Sequence, residues 1–339
     1  MQDFQAIQDL LSSPRRIAIT THQKPDGDAI GSSMALYHYL IAKGHKVQVV
    51  SPTHYADFLK WIPGNEQIIV GPEDHDRANW IFEGADLIFC LDFNALSRIN
   101  EFEKTVKEAS GKKIMIDHHM DPAGFHDLAY HDDTASSTAE MVYRLIGELG
   151  DHDVLDTAMA KAIYMGVLTD TGSFRFTNTS PAVHRMVAHL MEVGVDVNEV
   201  YEQIYNQSSV GRLKFIGHCL SQCLTVLPEL KTAYFKVPRE VFKEYNIRLG
   251  DTEGLVNYAL SIKDINLAVL MTQQDDLTKL SFRSRNHVSA AALAENFNGG
   301  GHFYAAGGRL QASPDDTEAK LLELLNQYKE DLAGKSPVG

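Results

Sequence analysis

With 339 residues, 44% hydrophobic and 22% charged, the chain can bury a substantial core and is long enough for two domains, which excludes disorder and a disulfide-stapled miniprotein. No stretch reaches the ~20 uninterrupted apolar residues of a bilayer span, and the first residues lack the cationic and apolar parts of a secretory signal, so a soluble cytoplasmic protein is expected, with Cys90, Cys219 and Cys223 as buried thiols. The formal charge is -14, of which residues 1–227 carry -12; this works against a long nucleic acid as partner and suits a region that collects cations.

In chain order, short Val- and Ile-rich runs predict strands at Ile17–Thr21, Lys46–Val50, Glu66–Val70, Asp86–Leu91 and Lys113–Ile116. Segments of helical period separate them, such as Ala29–Lys43, closed by Gly44, and Ala95–Ala109. The alternation predicts an α/β domain, a parallel sheet with helices on both faces, over residues 1–194. From about Ser136 to Cys223 the chain reads as mostly helical, its segments opening on Ser or Asp residues suited to capping, and residues 195–227 read as a helical linker. Residues 228–332 read as a smaller α+β domain with a mixed sheet. Its strands are TAYFKV, NLAVLMTQQ and LTKLSFRSR, the last two joined through an Asp-Asp turn. The glycine-rich NGGGHFYAAGG and an amphipathic helix from Pro314 to Leu332 follow, and residues 333–339 read as a loose tail.

The densest chemical signal is THQKPDGDAIGSS, residues 21–33, directly after the first strand: His22, Asp26 and Asp28 fall within seven residues. A helix cap explains Asp28 well and Asp26 partly, but not His22. Similar residues recur where other strands end, with Asp92 closing ADLIFCLD and Asp117, His118 and His119 after KKIMI, and Asp170 closes the apolar helix AIYMGVLTD. Ligand crevices of open parallel sheets lie at the carboxyl ends of the strands, so these segments can converge. Carboxylate plus imidazole suits a divalent transition metal, and this many carboxylates can hold two ions with one bridging. In SFRSR, Arg283 and Arg285 alternate with Ser284 and can grip phosphate from one strand face, and Gly300, Gly301 and His302 offer backbone N–H groups and an imidazole. Ser136 or Ser137 reads as a helix cap, and Arg98, on the segment after Asp92, is a weaker candidate for reaching phosphate.

With HQKPDGDAIGS, LDFNALSR, IDHH followed by ASSTAEMVY, GVLTDTGSFRF, SFRSR and NGGGHFYAAGG in that order over roughly residues 10–330, the chain resembles the DHH phosphoesterases, more narrowly the two-domain DHH/DHHA1 proteins similar to nanoRNase/pAp phosphatases. The resemblance implies a DHH domain, a helical linker and a substrate-presenting DHHA1 domain. It implies one ion on His22, Asp26 and Asp92 and a second on Asp28, Asp92, His118 and Asp170, with Asp117 orienting a histidine and His119 facing the substrate phosphate. Two Mn²⁺ are the implied cofactors, with Mg²⁺ or another divalent metal less active.

The implied activity is hydrolysis of short oligoribonucleotides to 5′-mononucleotides by a water activated between two metals, with a 3′-phosphatase activity on pAp. Short oligoribonucleotides and pAp are thus the expected partners, with no membrane and no long duplex; a homodimer is compatible with this. Two other readings stand beside it: a phosphodiesterase for cyclic di-AMP or pApA, and a nucleotide-binding regulator with an inactive metal site.

Overall fold

Five of the apolar runs between residues 16 and 117 become parallel strands, and a sixth joins them at the edge. The computed structural model describes residues 3–333, which fall into two units, one ending at Gln207 and the other beginning at Ser208. The expected tail lies outside the described residues except for Ala333.

In the first unit the chain runs α1 (Phe4–Leu11), β1 (Arg16–Thr21), α2 (Gly27–Ala42), β2 (Lys46–Ser51), β3 (Ile68–Val70), α3 (His75–Gly84), β4 (Leu87–Leu91), α4 (Glu103–Glu108), β5 (Lys112–Asp117), β6 (Leu128–His131), α5 (Thr138–Glu148), α6 (Thr157–Asp170), α7 (Pro181–Val193) and α8 (Val197–Tyr205). The sheet order is β3-β2-β1-β4-β5-β6 and every pairing is parallel. Successive side chains of a strand point to opposite faces, and here both faces are buried. Ile17, Ile19, Phe89, Leu91, Ile114 and Ile116 enter one core with α2, α5 and α6; Ala18, Val50, Ile88 and Cys90 enter another with Phe82 of α3 and Val106 of α4. The doubly covered parallel sheet expected from the apolar runs is therefore present.

Two local expectations differ. Glu66 and Gln67 belong to a 3-10 turn, leaving β3 only three residues long. The helix expected over Ala95–Ala109 breaks at Ile99 and Asn100, where Asn100 takes a positive φ of 54°. Leu96, Ile99, Phe102 and Val106 are all buried, so the apolar spacing that suggests one helix is satisfied by a 3-10 segment followed by α4.

Helices α2 and α6 approach backbone to backbone through glycines. A Cβ on Gly31 would stand 2.5 Å from the Ala162 carbonyl oxygen, and one on Gly166 would stand 2.8 Å from Asp28 Oδ1. Side-chain oxygens cap these helices as their sequences suggest: Asp26 accepts from the N–H groups of Asp28 and Ala29 at 3.0 and 3.1 Å, Ser137 from Glu140 at 3.0 Å and Asp156 from Met159 at 2.9 Å.

The second unit contains α9 (Val210–His218), a π turn over Cys219–Cys223, β7 (Leu224–Leu227), β8 (Thr232–Val237), α10 (Arg239–Glu244), α11 (Leu255–Leu260), β9 (Leu267–Gln274), β10 (Leu277–Ser284), α12 (Ala290–Glu295), β11 (Gly300–His302), β12 (Ala305–Leu310), α13 (Pro314–Gln327) and α14 (Lys329–Leu332). Its sheet, in the order β11-β12-β10-β9-β8-β7, is mixed: β8 and β9 are parallel and the other neighbours antiparallel. One face packs on α12 and α13 through Leu293, Leu321 and Leu325, the other on α9, α10 and α11 through Phe215, Val241 and Leu255. The residues read as a connector divide between the units, Val200 and Ile204 of α8 entering the first core and Phe215 of α9 the second. Among the described residues no helix is long and apolar enough to cross a membrane.

Candidate metal centre

The strand order reverses at the neighbours β1 and β4, and such a reversal opens a crevice at the strands' carboxyl ends. His22 follows β1 and Asp92 follows β4; β5, beside β4, ends on Asp117 and delivers His118 and His119. Asp26 caps α2, Asp28 lies in its first turn, and Asp170 is the last residue of α6. Segments up to 148 positions apart thus end at one place. Their donor atoms form three overlapping groups, His22 with Asp26 and Asp92, Asp28 with His118 and Asp170, and Asp92 with His118 and His119, each within 4.8 Å.

Asp92 is the hub. Its carboxylate lies 3.4 Å from His22 Nε2, 3.6 Å from His118 Nε2 and 3.8 Å from His119 Nδ1. His118 Nε2 also lies 3.9 Å from Asp28 and 3.5 Å from Asp170, and His22 Nε2 lies 3.8 Å from Asp26. The far side of each ring is engaged: His22 Nδ1 donates to the Gln23 carbonyl at 2.8 Å and His118 Nδ1 to the Ala135 carbonyl at 3.2 Å. A neutral imidazole so held carries its proton on Nδ1 and turns the Nε2 lone pair inward. His119 Nδ1 donates instead to Asp117 Oδ1 at 2.7 Å, so the histidine that Asp117 orients is His119.

The electrostatics are those of a site with too many carboxylates. Burial, then the charges of Asp92, Asp170 and Asp26, push Asp28 well above the usual carboxylate range, although it accepts backbone N–H groups from Thr138 at 2.7 Å and Ala139 at 2.8 Å. Burial, with Asp26 and Asp92, raises Asp170 to about 6 against the pull of His118. Burial also works against the charge of Asp92, but the hydrogen bond from His22 and the imidazoles of His119 and His118 outweigh it and hold that carboxyl below its ordinary range. The carboxylates in turn raise His22 and His118 against their burial. Among the described residues Asp117 Oδ2 is buried without a hydrogen-bond partner. Four carboxylates that repel one another, together with two inward-facing imidazole nitrogens, fit one or more divalent metal ions.

Two contributors escape the sequence reading. Thr138, the first residue of α5, donates its hydroxyl to Asp92 Oδ1 at 3.1 Å, while Ser137 makes the cap. The N-terminal amides of α5 hold Asp28, and nothing local in the sequence links residues 28 and 138. Arg98 lies close enough to His22 to oppose its protonation.

In the second unit Arg283 lies on β10 and Arg285 just past its end at Ser284, so the expected strand stops one residue short of the second arginine; both flank buried Ser284 and are partly exposed. Arg283 pairs in register with Ala305 of β12, and β12 pairs with β11, so the SFRSR and glycine-rich segments come to one end of a single sheet. Gly300 and Gly301 are an edge strand of a hairpin turning at Phe303 and Tyr304; the His302 side chain lies outside the described set.

Residues 16–167 match the model of the DHH family, N-terminal domain, and residues 231–331 match the DHHA1 domain. The chain is 34% identical over 315 residues to the bifunctional oligoribonuclease and PAP phosphatase NrnA of Thermus thermophilus, covering 92% of this chain and 89% of that one. It is 28% identical to the Bacillus subtilis protein of the same name, covering 93% and 95%. A crystal structure of an exopolyphosphatase-related protein from Bacteroides fragilis superimposes with a TM-score of 0.92 at 35% identity over 97% of each chain.

Proposed function

Because this chain belongs to the DHH family, carries a DHHA1 domain and is by that membership a phosphoester hydrolase, we propose that it degrades short oligoribonucleotides to 5′-mononucleotides and removes the 3′-phosphate of pAp, giving AMP and phosphate, with two Mn²⁺ as cofactors. The observation that carries the reading is the convergence of His22, Asp26, Asp28, His118 and Asp170 around Asp92. On this reading His22, Asp26 and Asp92 hold one cation and Asp28, Asp92, His118 and Asp170 the other. Bound cations supply positive charge to the non-bridging oxygens of the scissile phosphate and lower the pKa of water. Two imidazoles among the donors favour Mn²⁺ over the harder Mg²⁺.

The chain's own groups do the rest. The backbone carbonyls of Gln23 and Ala135 fix the tautomers of His22 and His118 so that lone pairs face the centre. The α5 amides and the Thr138 hydroxyl hold Asp28 and Asp92 in place before substrate arrives. Asp117 accepts from His119 Nδ1 and so fixes the orientation of the ring, with Nε2 turned toward the substrate phosphate. In the second unit Arg283 and Arg285 are the groups suited to phosphate oxygens of a nucleotide, with Gly300, Gly301 and His302 as further donors.

The test is a single incubation with Mn²⁺ of pApA, pAp and cyclic di-AMP, with products separated by chromatography and the Asp92→Ala protein as control. Loss of pApA first, slower phosphate release from pAp, and a fall of about 10³-fold or more in the variant are expected. Preferential opening of cyclic di-AMP would replace the substrate assignment. Undiminished hydrolysis by Asp92→Ala would remove the metal centre from the mechanism.

A further inference from the structure

Among the groups outside the metal centre, the thiols of Cys90 and Cys219 lie in apolar cores, while Cys223, expected to be buried, is half-buried. Glu140 differs from them: it is a carboxylate on α5, only 3% exposed, and it belongs to none of the groups placed to hold a cation. A buried charge is costly unless it is paired and hydrogen-bonded, so its partners are informative. The cap of α5 is complete without it, because the Ser137 hydroxyl accepts the Glu140 N–H at 3.0 Å. In a capping box an acid at this position accepts in return from the cap residue, here Ser137. Glu140 Oε2 instead reaches one residue further and accepts both the N–H and the hydroxyl of Ser136, each at 2.7 Å.

The other oxygen, Oε1, pairs with Arg144 one turn along the helix, and Arg144 pairs in turn with Asp132 at 2.7 Å. Asp132 Oδ1 accepts the N–H and the hydroxyl of Thr134 at 3.0 and 2.6 Å. One arginine thus joins two carboxylates that grip the segment between β6 and α5, residues 132–137, near both of its ends. Asn178 adds a third hold by donating to the Ser136 carbonyl at 3.1 Å. The held segment and the first turn of α5 are what touch the metal centre. The Ala135 carbonyl accepts from His118 Nδ1, the N–H groups of Thr138 and Ala139 reach Asp28, and the Thr138 hydroxyl reaches Asp92.

We propose that Glu140, tied through Arg144, is a positioning residue of the metal centre: it sets the Ala135 carbonyl and the first turn of α5, and through them the placement of His118, Asp28 and Asp92. The inference rests on the two-cation reading above and adds to it a residue that belongs to neither ligand set. The two sets depend on the segment unequally. Asp28, Asp92 and His118 are three of the four donors assigned to the second cation, whereas the first shares only Asp92 among His22, Asp26 and Asp92. Loosening the segment therefore weakens one cation much more than the other, which a general loss of stability does not do.

The experiment is calorimetric Mn²⁺ titration of the full-length protein and of Glu140→Gln, with electron paramagnetic resonance of the bound Mn²⁺ and thermal unfolding of the metal-free proteins in parallel. Glutamine keeps the size of the side chain but offers one acceptor and one donor where Ser136 and Arg144 both donate, so either orientation sets a donor against a donor. The binding step that Asp170→Asn abolishes, which marks the second cation, should weaken about 10–100-fold in Glu140→Gln, with a changed resonance line shape and a much smaller effect on the other step. Arg144→Met cuts the same tie from its more exposed side and should weaken the same step, which keeps the test open if Glu140→Gln fails to fold. Tyr130→Phe is the control: it removes the hydrogen bond from Tyr130 to Glu148, 2.8 Å long, at the far end of the same helix, and should lower the melting temperature while leaving both steps unchanged. Equal weakening of both steps, in proportion to the lost melting temperature, would make Glu140 a structural residue only. Unweakened Mn²⁺ binding by folded Glu140→Gln and Arg144→Met would overturn the inference and leave the metal centre standing, whereas no Mn²⁺ binding by the unsubstituted protein would remove both.

Discussion

Asp92 has a left-handed backbone, φ 64°, which a residue with a Cβ adopts at a cost of about 1–2 kcal/mol. The conformation turns the chain sharply at the end of β4, where the Asp92 N–H donates to the Ile116 carbonyl at 3.0 Å, and aims the carboxylate at three imidazoles. Such strain persists where the surroundings impose it, and functional sites are where it gathers. A second device is Asp117, whose Oδ1 fixes His119. Asp117→Asn keeps the shape but removes the charge that holds the His119 proton, so kcat for dinucleotide cleavage should fall about 10–100-fold. Calorimetric Mn²⁺ titration should show a much smaller change, because Asp117 accepts its hydrogen bond from His119, which belongs to neither of the two proposed ligand sets. An equal loss in both measurements would make Asp117 part of the cation site itself.

Glycine at the α2/α6 contact ties the packing of helices to the position of a carboxylate. A Cβ at Gly166 would meet Ala139 Cβ at 2.5 Å as well as Asp28 Oδ1 at 2.8 Å, so α6 would have to move from both α5 and the candidate site. Gly166→Ala is therefore expected to lose about 1–3 kcal/mol in urea unfolding and to weaken Mn²⁺ binding together with it. Gly84, at the end of α3, is the control: a Cβ there meets nothing within 4 Å and its φ is not positive, so Gly84→Ala should be neutral or slightly stabilising. Elements with strong local codes, such as α7 with Ser180 capping and Pro181 next, follow the sequence closely. Weakly coded ones do not. Strands β6 and β7 have four residues each at sheet edges, and their burial is too partial to leave a period-2 signature.

The two units have separate cores, and every group placed around the candidate centre lies between residues 22 and 170. Both tryptophans, Trp61 and Trp80, belong to that same unit, so their fluorescence reports its unfolding alone. In metal-free protein the raised folded-state pKa values of Asp28, Asp170, His22 and His118 make a contribution to stability that is complete below their unfolded values and is lost as pH rises through the folded ones, about 6 for Asp170. Asp92, held low, works the other way and matters only in more acidic solution. The fluorescence melting temperature of metal-free protein should thus fall between about pH 4 and 7, and added Mn²⁺ should restore it, more strongly as pH rises because protons compete for the same atoms. A melting temperature indifferent to Mn²⁺ throughout that range would count against cation binding at these residues.

The two-sheet plan and the identity of the candidate ligands were legible in the chain because both are local codes: apolar runs of four to eight residues seek burial on two faces, and polar residues at strand ends stand out against them. The glycine-rich segment stands out by composition, but its structure does not. Its strand pairing with Ala305–Gly307 depends on a partner strand that leaves no mark on its own sequence. Convergence was decided at a higher level. His22 and Asp92 meet because the sheet reverses its order between β1 and β4, Asp28 is held by amides 110 residues later, and Asp117 selects His119 through a contact that spacing alone left open. Periodicity records how a residue is buried, whereas a site made from separate segments depends on which strand lies beside which, and only the folded sheet specifies that.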